Sequence, residues 1–163
     1  MKKAIFFDID GTLLDYMNGI VDITPKVKQA IHSLQEEGHY VFIATGRPYA
    51  FLSKSILDFG FDGFVLANGA HVIIKNKTIF SEYLDKSFVS NLVDELENLN
   101  IQYVLEGEYH SYMKECFKEF HDFYDTVGVS KELFKVNYSL DDIGIYKIEM
   151  MCPNDETVEK CLN

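Results

Sequence analysis

Ile5-Phe6-Phe7-Asp8-Ile9-Asp10-Gly11-Thr12-Leu13-Leu14 decides how the rest of this 163-residue chain is read. An apolar run stops at two carboxylates separated by one residue, and a Gly-Thr turn follows. Ala4 to Phe7 reads as a strand buried on both faces, as in the middle of a parallel sheet. Asp8 then falls at the strand's end and Asp10 in the loop beyond it. In open α/β sheets the carboxyl ends of strands are where ligands bind. The two acids at that edge are close enough to share one cation.

Working outward, Thr24-Pro25 starts a helix, with Thr as cap and Pro at the first helical position. Val27, Ala30, Ile31 and Leu34 recur at helical spacing, and Gly38 ends the helix. Tyr40 to Ala44 is a second buried strand, which runs into Thr45-Gly46-Arg47-Pro48. A helix to about Phe59 and a short strand, Phe64 to Ala67, complete a strand-helix-strand-helix-strand series. Its connections suit right-handed parallel crossovers. After the turn Asn68-Gly69-Ala70, the segments His71 to Ile74 and Thr78 to Tyr83 form a hairpin around Lys75-Asn76-Lys77.

The pattern then changes. Phe88, Leu92, Leu96 and Leu99 mark an amphipathic helix, and strands follow near Gln102–Leu105 and Tyr109–Met113. Phe117, Phe120, Phe123 or Tyr124, and Val127 mark another helix. Ile145 to Met151 alternates as a strand, and Pro153 to Leu162 begins a helix. The division is placed at residues 1–84 and 85–163.

Composition narrows the function. The chain is 47% hydrophobic with 13 Phe and 10 Tyr, enough for a real core. It lacks a run of about 18 apolar residues, so no membrane span is expected. No apolar segment with a cleavage site follows Met1-Lys2-Lys3, so no signal peptide is read. A net charge of −11 argues against nucleic acid or an anionic membrane as partner. Three widely spaced cysteines, Cys116, Cys152 and Cys161, fit a reducing cytoplasm and no zinc site, and are expected to be buried or inert. The oligomeric state is left open.

Asp8 is the candidate nucleophile, because a carboxylate can form an aspartyl-phosphate that water later cleaves. It needs a cation, and Mg²⁺ suits hard oxygen ligands while keeping room for substrate oxygens. Asp10 can protonate the leaving oxygen and then activate water. Thr12 and the turn amides can hold phosphate oxygens. Thr45-Gly46-Arg47 reaches the same sheet edge and offers a hydroxyl, a close backbone approach and a following helix N-terminus. Alone, either piece also reads as an ordinary turn.

Together, Asp8-Ile9-Asp10-Gly11-Thr12-Leu13-Leu14, Ala44-Thr45-Gly46-Arg47-Pro48 and Ala67-Asn68-Gly69-Ala70 resemble the haloacid dehalogenase superfamily. The likeness is strongest to its Cof-type, subclass IIB sugar-phosphate phosphatases. The resemblance implies a HAD-like Rossmannoid α/β core with an inserted α/β cap: the first half of the core and its hairpin over 1–84, and an incomplete cap over 85–163. It implies Asp8 as nucleophile, Asp10 as general acid/base, and Mg²⁺ on the Asp8 carboxylate and the Asp10 carbonyl. Thr45 would bind phosphate, with Gly46 and Arg47 lining the site. The substrate would be a small phosphorylated metabolite. Transfer to a second sugar, as in mutases, uses the same acids and ranks lower.

The sequence departs from that pattern. The later Lys and the Gly-Asp-x-x-Asn-Asp-like run that complete such sites have no counterpart. Asp141-Asp142 reads as a cap or turn. The expectation is therefore a fragment with an open apolar edge at Ile5-Phe6-Phe7. The rival reading is a catalytically incomplete binding or regulatory module. His32, His39, His71, His110 and His121 lack metal-ligand spacing and read as surface or core residues.

Overall fold

The computed structural model describes residues 1–162, which divide into two compact units, Met1–Glu82 and a second beginning at Tyr83. In the first, β1 (Ala4–Phe7), β2 (Tyr40–Ala44), β3 (Gly63–Leu66), β4 (His71–Ile74) and β5 (Lys77–Ser81) form one sheet in that order. β1, β2 and β3 are parallel, with Phe6 beside Phe42 and Ile43 beside Phe64. β4 and β5 return antiparallel. The crossovers run through α1 (Pro25–Glu36) and α2 (Lys54–Leu57). The strand order never reverses across β1, β2 and β3, so right-handed crossovers put both helices on one face. Ile31 of α1 and Ile56 of α2 accordingly share a core with Val41, Ile43, Phe64 and Leu66.

That arrangement corrects the reading of Ala4 to Phe7 as a strand buried on both faces and agrees with the open apolar edge expected at Ile5-Phe6-Phe7. β1 is an edge strand, and its residues alternate between exposed and half-buried. Phe6 is 56% exposed and stacks on Phe42 with ring centroids 5.1 Å apart. The cause is geometric: α1 and α2 cover one face only, and β1 has one neighbour among the described residues.

Smaller differences have local causes. The helix expected up to Phe59 is broken into a 3-10 turn, Tyr49–Phe51, and the short α2. Leu52 and Ser53 are extended, and the Ser53 hydroxyl accepts from the Ile56 N–H at 3.4 Å, so Ser53 caps a fresh start. The hairpin turn is two residues, since Lys75 and Asn76 both take left-handed φ angles, 48° and 59°; Lys77 joins β5. Thr24 stands at the α1 cap position without a side-chain bond, leaving Pro25 to preset the first turn.

The second unit contains α3 (Lys86–Asn98), β6 (Gln102–Glu106), β7 (Ser111–Tyr112), α4 (Lys118–Thr126), β8 (Phe134–Lys135), β9 (Lys147–Met151) and α5 (Asp155–Leu162). Its sheet order is β8-β7-β6-β9. Val89, Val93 and Leu96 of α3 pack against Tyr103 and Leu105 of β6. β8 was not expected, because two residues cannot show an alternation. Asp141 and Asp142 lie in the 3-10 turn Leu140–Asp142. No helix among the described residues is long and apolar enough to cross a membrane.

The other face of β6 carries a buried polar group. Glu106 and Lys147 are cross-strand partners, with Lys147 Nζ 3.1 Å from Glu106 Oε2 and 2.8 Å from Glu149 Oε1. The Tyr124 hydroxyl of α4 donates to Glu149 Oε2 at 2.5 Å. Burial, with the neighbouring Glu149 charge, pushes the Glu106 carboxyl up to about 9, against the pull of Lys147. Burial also works against the Glu149 charge, but hydrogen bonds from Lys147 and Tyr124 outweigh it and hold that carboxyl below its ordinary value. One ammonium between the buried Glu106 and the half-buried Glu149 thus shifts the two carboxyls in opposite directions, Glu106 upward and Glu149 downward.

Candidate active site

The loop after β1 is built from the inside. Ile9, Leu13 and Leu14 are buried in the core of the first unit. The Ile9 carbonyl accepts from the amides of Thr12, Leu13 and Leu14 at 3.2, 2.9 and 2.9 Å. Gly11, at φ 72°, donates to the Leu14 carbonyl at 2.8 Å, closing the turn. With these apolar residues turned inward, Asp8, Asp10 and Thr12 are left exposed. The same bonds correct one expectation: the amides of residues 11–14 are engaged within the loop and do not point at a ligand.

Asp8 Oδ1 accepts from the Ile9 N–H at 2.7 Å, which fixes the carboxylate and leaves its second oxygen outward. At the end of β2, Thr45 is buried and donates its N–H to the Val65 carbonyl at 2.9 Å. Its hydroxyl oxygen accepts from the Arg47 N–H at 3.2 Å, so the hydroxyl proton remains to donate. At the end of β3, Ala67, Asn68 and Gly69 all take positive φ angles. The turn is tied to the Thr45 loop by Asn68 N–H to Thr45 O at 3.3 Å and Ala67 N–H to Arg47 O at 3.0 Å.

These three strand ends meet in one cleft lined by Asp8, Ala44, Thr45, Gly46, Val65, Asn68 and Gly69. A Cβ on Gly46 would sit 3.0 Å from Asn68 Oδ1, so glycine permits this close packing. The sequence marks Asn68 as part of a turn and of the third motif, without giving it a binding role. Its signal was the position of Ala67-Asn68-Gly69-Ala70 at the end of the third parallel strand.

Arg47 goes elsewhere. Its Nε and Nη2 donate to Asp10 Oδ2 and Oδ1 at 2.8 and 2.7 Å, and Nη1 donates to the Phe51 carbonyl at 3.0 Å. The guanidinium carbon lies 5.7 Å from the centre of the Tyr16 ring. Burial works against the Arg47 charge, and the bonds and attraction of Asp10 outweigh it, raising its pKa above the ordinary value. Asp8, Thr45 and Gly46 therefore share the cleft, Asp10 and Arg47 hold each other, and the Thr12 side chain is exposed on the loop.

Among the described residues no group of three or more His, Cys, Asp or Glu converges. The donors at the loop after β1 are two exposed carboxylates, a set that suits a cation keeping several waters and substrate oxygens in its shell.

Comparison with known proteins adds to this geometry. The family model of haloacid dehalogenase-like hydrolases matches residues 5–163. "Putative phosphatase YkrA" of Bacillus subtilis is 38% identical over 97 residues, covering 59% of this chain and 36% of its own length. YxeH of the same organism, of like designation, is 26% identical over 147 residues, covering 90% of this chain and 47% of its own. The fold matches a crystal structure of a hypothetical protein from Geobacillus kaustophilus, with TM-score 0.83 and 24% identity over all of this chain and 62% of that one. It also matches the HAD subclass IIB sugar phosphatase BT4131, with TM-score 0.79 and 22% identity over 99% of this chain and 62% of that one. The chain thus spans less than half the length of these two curated relatives.

Proposed function

The chain belongs to the haloacid dehalogenase-like hydrolases, and from that premise we propose an Mg²⁺-dependent phosphomonoester hydrolase acting on small phosphorylated metabolites of the sugar-phosphate type. The observation that carries this reading is the cleft where Asp8, Thr45, Gly46 and Asn68 meet at the ends of three parallel strands. The likeness to a sugar phosphatase supports the substrate class.

In this reading the outward oxygen of Asp8 attacks phosphorus and the ester P–O bond breaks. Asp10 gives its proton to the leaving oxygen. It then takes a proton from the water that cleaves the aspartyl-phosphate and frees inorganic phosphate. The Thr45 hydroxyl donates to a phosphate oxygen, and Gly46 lets the backbone come close. The Asp8 carboxylate and the Asp10 carbonyl would hold Mg²⁺, which supplies charge neutralisation between the two anions. Thr12 and Arg47 do not line the cleft; Arg47 would reach the phosphate only once its fork on Asp10 opens. The second unit acts as the cap that selects the substrate, and the cytoplasm is the place of action.

One observation favours a second reading, a phosphate-binding module without turnover. Arg47 occupies both oxygens of Asp10, and an acid so held cannot move a proton until the fork opens. Hydrolysis of p-nitrophenyl phosphate with and without Mg²⁺, alongside Asp8→Asn, separates the two. The hydrolase requires turnover that depends on Mg²⁺ and is lost in the variant. The module requires phosphate binding with no turnover in either protein.

A further inference from the structure

The second unit brings together two cysteines that lie nine positions apart. Cys152 directly follows β9, and the chain turns at Pro153-Asn154. The Asn154 side chain accepts from the Thr157 N–H at 3.0 Å and from its hydroxyl at 2.7 Å, which starts α5. The helix then runs back beside the strand, so that Cys161 and Met150 line the same small cleft against Leu92 and Leu96 of α3. Cys152 Sγ and Cys161 Sγ end 3.9 Å apart. Cys161 is exposed and Cys152 half-buried. Of the expectation of buried or inert cysteines, burial does not hold for the exposed Cys161 and Cys116; the return of α5 is not readable from spacing.

We propose that Cys152 and Cys161 form a dithiol modification site whose co-substrate is a low-molecular-weight disulfide. A disulfide bond is about 2.0 Å long, so side-chain rotation of the two thiols must close the remaining gap. Burial and the neighbouring Cys161 push the Cys152 thiol up, which leaves the exposed Cys161 to react first. Its thiolate attacks one sulfur of the small disulfide, whose S–S bond breaks, and one small thiol leaves with a proton. Cys152 then loses its proton and attacks Cys161 Sγ in the mixed disulfide, and the second small thiol leaves. Two protein thiols are oxidised and one disulfide is reduced to two thiols. The product ties the end of β9 to the last turn of α5 and fixes one wall of the cleft against α3.

The test uses the 163-residue chain with oxidised glutathione. Remaining thiols are blocked with iodoacetamide, and the tryptic peptides are mapped by mass. The expected result is Ile148–Lys160 joined to Cys161–Asn163 with no glutathione attached, and Cys116 outside the link. Cys161→Ser should abolish the link and leave Cys152 alkylated or glutathionylated. The link should form about tenfold faster in the native chain than in concentrated urea, because the fold raises the effective concentration of one thiol at the other. Separate glutathione adducts on Cys152 and Cys161 overturn the proposal, as do linkage to Cys116 at similar yield, linkage only between two chains, or equal rates in urea.

Discussion

Arg47 grips Asp10 with a two-pronged fork, Nε to Oδ2 at 2.8 Å and Nη2 to Oδ1 at 2.7 Å. The fork ties the loop after β1 to the loop after β2. Lysine carries the same charge but cannot make both bonds in one plane. Arg47→Ala should cost at most about 3 kcal/mol of stability, the upper end for hydrogen bonds to charged groups, because Asp10 is half exposed, and Arg47→Lys should recover only part of it. Urea denaturation of the three proteins checks this. Equal stability would mean that the fork contributes nothing.

The buried Glu106 predicts a pH dependence with a definite sign. Its folded pKa, about 9, lies above the ordinary value of 4.5. The native state therefore keeps a proton that the unfolded chain releases between those values. The stabilising contribution is complete below about 4.5 and is lost as pH rises through 9, at no more than about 1.4 kcal/mol per pH unit. Glu106→Gln should be more resistant to urea than the parent at pH 8 and should flatten the profile between pH 5 and pH 9. Parallel profiles for the two proteins would show that Glu106 is ionised in the native state.

Leu14 is 1% exposed and anchors the loop that carries both carboxylates. Leu14→Ala should cost about 2–5 kcal/mol and weaken phosphate binding as the loop loosens. Calorimetric titration with inorganic phosphate, beside a denaturation curve, reads both effects. A destabilised variant with unchanged phosphate affinity would show that the loop is held by other contacts.

β1 presents an edge and the half-exposed Phe6 ring. Exposed apolar edges template pairing with other chains. The 163-residue chain should associate as its concentration rises, and Phe6→Lys should suppress this. Sedimentation velocity over a concentration series decides. A parent that stays monomeric throughout would contradict the prediction.

Much of the first unit was legible because its signals are local. Tyr40 to Ala44 is an unbroken apolar run and became β2, and Pro25 and Gly38 bracket α1 as helix chemistry requires. The loop carrying Asp8 and Asp10 was placed correctly at a strand end for the same reason. What was not legible depends on partners distant in sequence. Whether Phe6 is covered depends on which elements lie over the sheet, and no periodicity within Ala4 to Phe7 reports that. The grip of Arg47 on Asp10 spans 37 positions, and the approach of Cys161 to Cys152 depends on the path of a helix. Asn68 was visible as a motif, but its place in the cleft needed the left-handed turn at Ala67 and Asn68.

The central claim is that Asp8 carries the phosphoryl group. The most direct measurement is an acid quench during turnover of a phosphomonoester with Mg²⁺, followed by mass mapping of the tryptic peptide Ala4–Lys26. The account predicts that this peptide gains one phosphoryl group, located on Asp8, and that Asp8→Asn shows neither the adduct nor turnover. Turnover with the phosphoryl group on another residue, or undiminished turnover by Asp8→Asn, would contradict it.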